Sequence, residues 1–440
     1  VLLVASITFL SFKFYPSVEI ATGFSAKNMA SGVFVAKRSQ NVIESGDNGF
    51  FPVNLANNKI DKDERFVETD LFGMKKRTAV YKEGLGCILI DDNIEKLKEL
   101  SIPKRTKRGL NLPYPYGRLE QKDTLFSEVD YERLKEAVNN AFDQTEELKK
   151  GTRSVLVIYK DQIVAEKYAT GFDQNSLMLG WSMTKSITST IYGVLSKQGK
   201  IDVFQPTGIE TWQDDERKTI TYHNLLQMNS GLEWEEDYES LCDATVMLYK
   251  SEDMGRVQMN KELTGTPDES WNYSSGTTNL LSGPLLREKF NSHQEYLDFW
   301  YGELLDKIGM ESSIIETDLT GNFVGSSYGW ATTRDWAKFG LLYMHQGNWT
   351  GEQILDSTWV DYVSTPTNSS NGRYGAQFWL NAGGHYPDVP KDMYSCNGYQ
   401  GQYVIMIPSV GLTIVRFGLV EEPTFDMNLF MKDIVSCFNG

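Results

Sequence analysis

The chain of 440 residues has few of the residue types that build metal sites and disulfide scaffolds: four cysteines and four histidines. Cys87, Cys242, Cys396 and Cys437 stand far apart with no C-x-x-C, which excludes a disulfide framework as the basis of the fold. Buried free thiols are the expectation, with one or two bridges as the alternative. His223, His293, His345 and His385 are equally dispersed, without H-E-x-x-H or a Cys/His cluster, so a zinc enzyme is disfavoured and no metal or cofactor is expected. Positive charge is also short. With 43 Lys+Arg against 59 Asp+Glu the net charge is −16, a surface that repels phosphate, and nucleic acid is not an expected partner. No repeat or low-complexity segment is present. Aromatic residues, by contrast, are plentiful: 22 Tyr, 22 Phe and 10 Trp supply enough apolar area to exclude a disordered chain.

Long apolar runs are missing except over residues 1–12, which Lys13 interrupts and Pro16 follows. That run is short of the ~20 residues that span a bilayer. Residues 1–17 are therefore expected to be a signal or membrane-anchor segment. The absence of a small-x-small cleavage site favours an uncleaved anchor, with a buried N-terminal strand as the alternative. The expected location is periplasmic or otherwise extracytoplasmic, with N-terminal membrane association.

Residues 18–110 read as a small accessory region. The runs Ser31-Gly-Val-Phe-Val-Ala and Gly86-Cys-Ile-Leu-Ile are of strand type, and a polar stretch separates them. The basic segment Pro103-Lys-Arg-Thr-Lys-Arg-Gly reads as a solvated loop, and residues 111–130 as an extended connector. Residues 131–440 form the main domain. Apolar residues at helical spacing from Tyr131 to Phe142 predict a helix, and two strand-type runs follow, Ser154-Val-Leu-Val-Ile-Tyr and Ile163-Val-Ala-Glu-Lys-Tyr. A second hairpin, Gln402-Tyr-Val-Ile-Met-Ile with Leu412-Thr-Ile-Val-Arg-Phe, precedes a last helix with Phe425, Leu429, Phe430 and Ile434 on one face. The middle is mainly helical. This order predicts an α+β fold: an antiparallel sheet completed from both ends of the domain and flanked by helices, with a helical lobe inserted.

Gly180-Trp-Ser-Met-Thr-Lys185 opens a helix that Gly199 should end. Ser182 and Lys185 are three apart, so on a helix they share one face. A serine hydroxyl needs a base, and an ammonium one turn away sheds its proton when buried. Tyr273-Ser-Ser275 follows some ninety residues on, and a phenol held near that ammonium should lose its proton more easily and relay it. Asn397-Gly-Tyr-Gln-Gly401-Gln leads into a strand, where a glycine lets substrate approach the backbone and the Gln402 N–H can meet a developing oxyanion.

With these motifs the chain resembles the serine β-lactamase and penicillin-binding-protein superfamily. Within it the chain is most similar to the branch of class C β-lactamases, family VIII esterases and 6-aminohexanoate-dimer hydrolases. The resemblance covers about residues 130–440. It rests on Ser182-Met-Thr-Lys185, His223-Asn-Leu-Leu-Gln-Met-Asn-Ser-Gly231-Leu, Tyr273-Ser-Ser275, Gly329-Trp-Ala-Thr-Thr-Arg-Asp335 and Gly398-Tyr-Gln-Gly401-Gln. It implies the β-lactamase/transpeptidase-like fold, with Ser182 as acylated nucleophile, Lys185 as its activator and Tyr273 as general acid/base. The N–H groups of Ser182 and Gln402 would form the oxyanion hole. Ser275, Tyr399 and Gly401 would border the substrate, and Trp181 and Trp330 either line the pocket or pack in the core. Ser275 stands where β-lactamases carry Asn, and Tyr399-Gln400-Gly401 where they carry Lys-Thr-Gly. The missing lysine argues against efficient β-lactam hydrolysis and for a small amide, ester or peptide substrate. The alternatives are a D-amino-acid peptidase and a non-catalytic envelope protein.

Two rival motifs fail on context. Gly325-Ser-Ser-Tyr-Gly329 matches the nucleophile elbow G-x-S-x-G but lacks a good preceding strand and any alternating β-α pattern. Gly193-Val-Leu-Ser-Lys-Gln-Gly199-Lys200 imitates a P-loop but has one residue too many and lies inside a helix.

Overall fold

The sheet of the main domain has six antiparallel strands in the order β10-β11-β12-β13-β5-β6, so it is assembled from both ends of that domain. These are β5 (Ser154–Tyr159) and β6 (Gln162–Tyr168) from its start, and β10 (Trp379–Leu380), β11 (Tyr394–Gly398), β12 (Gln402–Ile407) and β13 (Leu412–Phe417) from its end. β13 closes on β5 with Leu412 opposite Tyr159 and Phe417 opposite Ser154. The structure, a computed structural model, describes residues 2–91, 94–106, 108–121, 124–143, 149–238 and 240–438, with residues 2–15 in backbone alone.

Both faces of the sheet are covered, which is why its central strands read as unbroken apolar runs. Val155 and Val157 of β5 join Leu134 and Val138 of α2 (Tyr131–Asn140) and Phe430 and Ile434 of the last helix, Met427–Val435. Leu156 and Ile158 point the other way, into the core built around Ile187 and Ile191 of α3 (Thr184–Lys197) and Trp336 and Phe339 of α6 (Thr333–Met344). The last helix is shifted from the expected face at one position: Leu429 is 49 % exposed. All four cysteines are buried and free.

The N-terminal part departs most from expectation. α1 spans Leu2–Ala30 with Pro16 inside it, and Ser31–Val35 continues it as a wider helical turn rather than a strand. The expected segment boundary at residue 17 therefore falls within one helix. Its second half belongs to the folded body, with Ala26, Met29 and Ala30 fully buried. Among the described residues no helix is long and apolar enough to cross a membrane. The polar stretch expected to separate two strands itself forms strands. β1 (Asn57–Asp61), β2 (Phe66–Leu71), β3 (Met74–Lys82) and β4 (Gly86–Ile90) make an antiparallel meander on which α1 packs. In β2 the inward residues are Val67, Thr69 and Leu71, a period-2 pattern hidden by the threonine.

This unit is fastened to the main domain by buried polar groups. Lys27 of α1 pairs with Glu316 at 2.8 Å, the side chains 3 % and 1 % exposed. Glu316 also accepts from Ser31 Oγ at 2.8 Å, the Cys87 N–H at 2.7 Å and Trp330 Nε1 at 2.9 Å. Asp47 accepts from Arg153 at 2.6 and 2.9 Å and pairs with Arg38 at 3.2 Å. Burial alone would raise the Asp47 carboxyl, but the two guanidinium groups outweigh it and hold it well below the usual carboxylate range. The basic stretch is not simply solvated either: Arg105 donates to Asp306 at 2.6 and 2.8 Å and lies 4.1 Å from the centre of the Tyr301 ring. Lys107 of that stretch lies outside the described residues.

Candidate active site

β7 (Leu177–Leu179) runs through Gly180 into a tight turn, Trp181–Met183, that opens α3. The turn is held on several sides. The Gly180 N–H donates to the Gly329 carbonyl at 2.8 Å, Thr184 Oγ1 donates to the Trp181 carbonyl at 2.8 Å, and Trp181 takes a left-handed φ of 47°. The end of β11 presses directly on this turn. A Cβ at Gly398 would lie 2.1 Å from the Gly180 carbonyl oxygen, so only glycine lets the two backbones approach this closely. Every residue from Thr184 to Leu195 is buried, which makes α3 a rigid carrier for the side chains at its start.

Lys185, 2 % exposed, donates to Ser182 Oγ at 2.9 Å, Ser275 Oγ at 2.8 Å and the Ser326 carbonyl at 3.0 Å. Burial pushes its ammonium down to about 8, against the opposing pull of the Glu236 carboxylate. Tyr273 borders the same cleft as Ser182, and its ring centre lies 4.8 Å from Lys185 Nζ. Ser182, Lys185, Tyr273 and Ser275 thus converge. The expectation for the phenol is corrected, however. Burial and the nearby Glu236 charge push Tyr273 well above the ordinary tyrosine value, and the Ser182 contact offsets only part of that. At neutral pH the phenol keeps its proton and is suited to donate it.

The three residues of Tyr273-Ser-Ser275 divide the work. Tyr273 lines the cleft with Ser182, and Ser274 caps α5 (Ser275–Leu280) by accepting from the Thr277 N–H at 2.9 Å. Ser275 bridges Lys185 to Glu236, donating to Glu236 Oε1 from its hydroxyl at 2.7 Å and to Oε2 from its N–H at 2.6 Å. Glu236 also accepts from Trp234 Nε1 and the Tyr238 hydroxyl, each at 2.7 Å. Glu236 and Tyr238 were missed from sequence. They lie in the irregular segment before α4 (Asp243–Lys250), which has no periodicity to place its side chains. The rejected elbow motif also takes part, through its backbone: Ser326 supplies the carbonyl to Lys185, and a Cβ at Gly325 would meet Thr188 Oγ1 at 2.4 Å.

A cleft opens over Ser182, bordered by Tyr238, Tyr273, Trp379, Gly398 and Tyr399. Arg373, His385, Glu421 and Glu422 give its outer part a polar, charged lining. Gly401 and Gln402 do not border it. The Gln402 side chain is buried and donates to the Tyr399 and Gly418 carbonyls at 2.9 and 2.8 Å, and the Gly401 carbonyl accepts from Arg416 at 2.7 Å. Both hold the turn from behind. Trp330 (β9, Gly329–Thr332) is 3 % exposed and bound to Glu316, a core role, and Trp181 faces away from the cleft toward α1.

Residues 139–425, more than half of the chain, match the β-lactamase family. The chain belongs to the β-lactamase family. The 6-aminohexanoate-dimer hydrolase of Paenarthrobacter ureafaciens is 22 % identical over 339 residues, covering 70 % of this chain and 79 % of that one. A Bacillus anthracis protein provisionally named as a 6-aminohexanoate-dimer hydrolase superposes with a TM-score of 0.60 at 20 % identity, over 78 % of this chain and 94 % of its own. A family VIII carboxylesterase gives 0.57 at 14 % identity, over 73 % and 100 %. This member of the β-lactamase family is therefore a β-lactamase-fold hydrolase. The family match begins after β1–β4 and α1, so the N-terminal unit is an addition to the part that matches.

Proposed function

We propose that the protein is a serine hydrolase that cleaves a small amide or ester through an acyl-enzyme on Ser182. The observation that carries this reading is a buried amine, with its ammonium brought down to about 8, in hydrogen-bond contact with the hydroxyl at 2.9 Å. Ser182 Oγ attacks the substrate carbonyl carbon as its proton passes to neutral Lys185. The tetrahedral adduct collapses, the bond to the leaving nitrogen or oxygen breaks, and Tyr273 supplies the proton that the leaving group takes up. Lys185 restores the Tyr273 proton. Water then attacks the ester, with the same groups moving its proton, and releases the acid and free Ser182. The oxyanion would be held by the N–H groups of Ser182 and Tyr399, because the backbone that borders the cleft beside Gly180 ends at Gly398 and Tyr399. Arg373 is the cleft's guanidinium and is suited to hold a carboxylate on the substrate.

Fluorophosphonate labelling tests the reading. A covalent adduct on Ser182 that is lost in Ser182→Ala is expected. No adduct, or one that persists in the variant, would remove it. A panel of p-nitrophenyl esters, a chromogenic cephalosporin and D-Ala-D-Ala peptides then separates an esterase or amidase from a peptidase.

A further inference from the structure

A second cavity lies behind the catalytic cleft, and Tyr238 and Tyr399 border both. Their rings, 5.1 Å apart between centres, stand where the two spaces meet. The two spaces differ in chemistry. The cleft has charged groups in its lining, whereas among the described residues no charged side chain lines the second cavity. One wall is α1: Ser17, Ile20, Ala21 and Phe24 recur at i, i+3, i+4 and i+7 and so form a single stripe of the helix. The opposite wall includes Trp181, the residue before the nucleophile, whose ring stacks on Phe24 with 6.1 Å between centres. Leu241, 45 % exposed, stands at the rim.

A largely apolar cavity that shares two lining residues with the cleft over Ser182 is suited to an alkyl group carried by what that serine attacks. We infer that this cavity holds the acyl chain of the substrate, so that the preferred substrates are esters or amides of apolar medium-chain acids. The N-terminal unit thereby supplies specificity to a site whose reacting groups all come from the family fold. The inference rests on the serine-hydrolase reading above. α1 contributes no group to the chemistry; it contributes the surface against which the chain is buried.

The test is kcat/KM for p-nitrophenyl acetate, butyrate, hexanoate and octanoate, beside a second series with the alkyl group on the alcohol side. In the acyl series kcat/KM should rise about fourfold per methylene until the cavity is filled, roughly two orders of magnitude from acetate to hexanoate. Ala21→Trp, which fills the cavity from α1, should remove most of that gain and leave acetate turnover within about twofold. Leu241→Asp at the exposed rim should act in the same direction, and keeps the test decisive if the tryptophan variant does not fold. A flat acyl series with Ser182 still labelled by fluorophosphonate would overturn the cavity's role alone. So would a gain confined to the alcohol series, or one that survives both folded variants. Absence of labelling and of turnover on every ester would overturn the hydrolase reading and this inference with it.

Discussion

The two sides of the Ser182 turn are built by opposite means. On the side of the family fold, Lys185, Ser275, Glu236 and the Ser326 carbonyl form a chain of hydrogen bonds of 2.7 to 3.0 Å. On the side of the N-terminal unit, Trp181 meets the Phe24 ring and a largely apolar cavity. The polar side sets protonation states, and the apolar side sets shape. The difference teaches that one side of a turn can carry an apolar surface without disturbing the hydrogen-bonded groups on the other, provided the element that supplies the surface is locked at a distance. Here Lys27–Glu316 and Asp47–Arg153 do the locking.

Variants can break each side separately. The largest effect is expected on the polar side. Ser182→Ala or Lys185→Ala should lower kcat/KM by about 10⁴-fold or more with the melting temperature little changed for the serine variant. Tyr273→Phe should cost about 10²- to 10⁴-fold, as loss of a general acid does. A melting curve and steady-state kinetics on one ester check both. The lock is next. Lys27→Met leaves Glu316 buried without its cation and should destabilise the fold by about 3–5 kcal/mol. Glu316→Leu should cost more, because the Ser31 hydroxyl, the Cys87 N–H and the Trp330 ring N–H lose their acceptor as well. Chemical denaturation reads the difference, and equal costs for the two variants would show that Glu316 is no hub.

The smaller effects are read through pH. As the Lys185 ammonium loses its proton, kcat/KM should rise with pH through about 8. Glu236→Gln removes the charge that raises this value and should move the limb to lower pH; a pH–rate profile that stays in place would separate Glu236 from Lys185. Asp47, held below the usual carboxylate range, contributes stability in full above that range. The contribution is lost as pH falls toward its depressed value. The gap in melting temperature between the native protein and Asp47→Asn should therefore be widest near neutral pH and narrow in acid.

The same contrast governs what could be read in advance. Ser182, Lys185 and Tyr273 were legible because their motifs carry chemistry at short, defined spacings. The sheet was legible because β5, β12 and β13 are buried on both faces and read as continuous apolar runs. Glu236 was not legible, since an acidic residue in an irregular segment looks like any solvated carboxylate until the fold brings Ser275 to it. The cleft edge was misplaced by the width of a turn. Gly401 and Gln402 follow the strand that borders the site, and only the approach of Gly398 to the Gly180 carbonyl shows which arm of the hairpin faces Ser182. At the N-terminus the short apolar run after Ser31 suggested a strand, but a helix already formed over the preceding residues propagates through it.

The three partners of Lys185 have one more consequence. Once the ammonium has given up a proton, two hydrogens and one lone pair remain on Nζ. The Ser326 carbonyl can only accept a hydrogen. The Ser275 hydroxyl has its own hydrogen committed to Glu236, so toward Lys185 it too can only accept. Both remaining hydrogens are thereby claimed, and the lone pair is left aimed at the Ser182 hydroxyl before any substrate arrives.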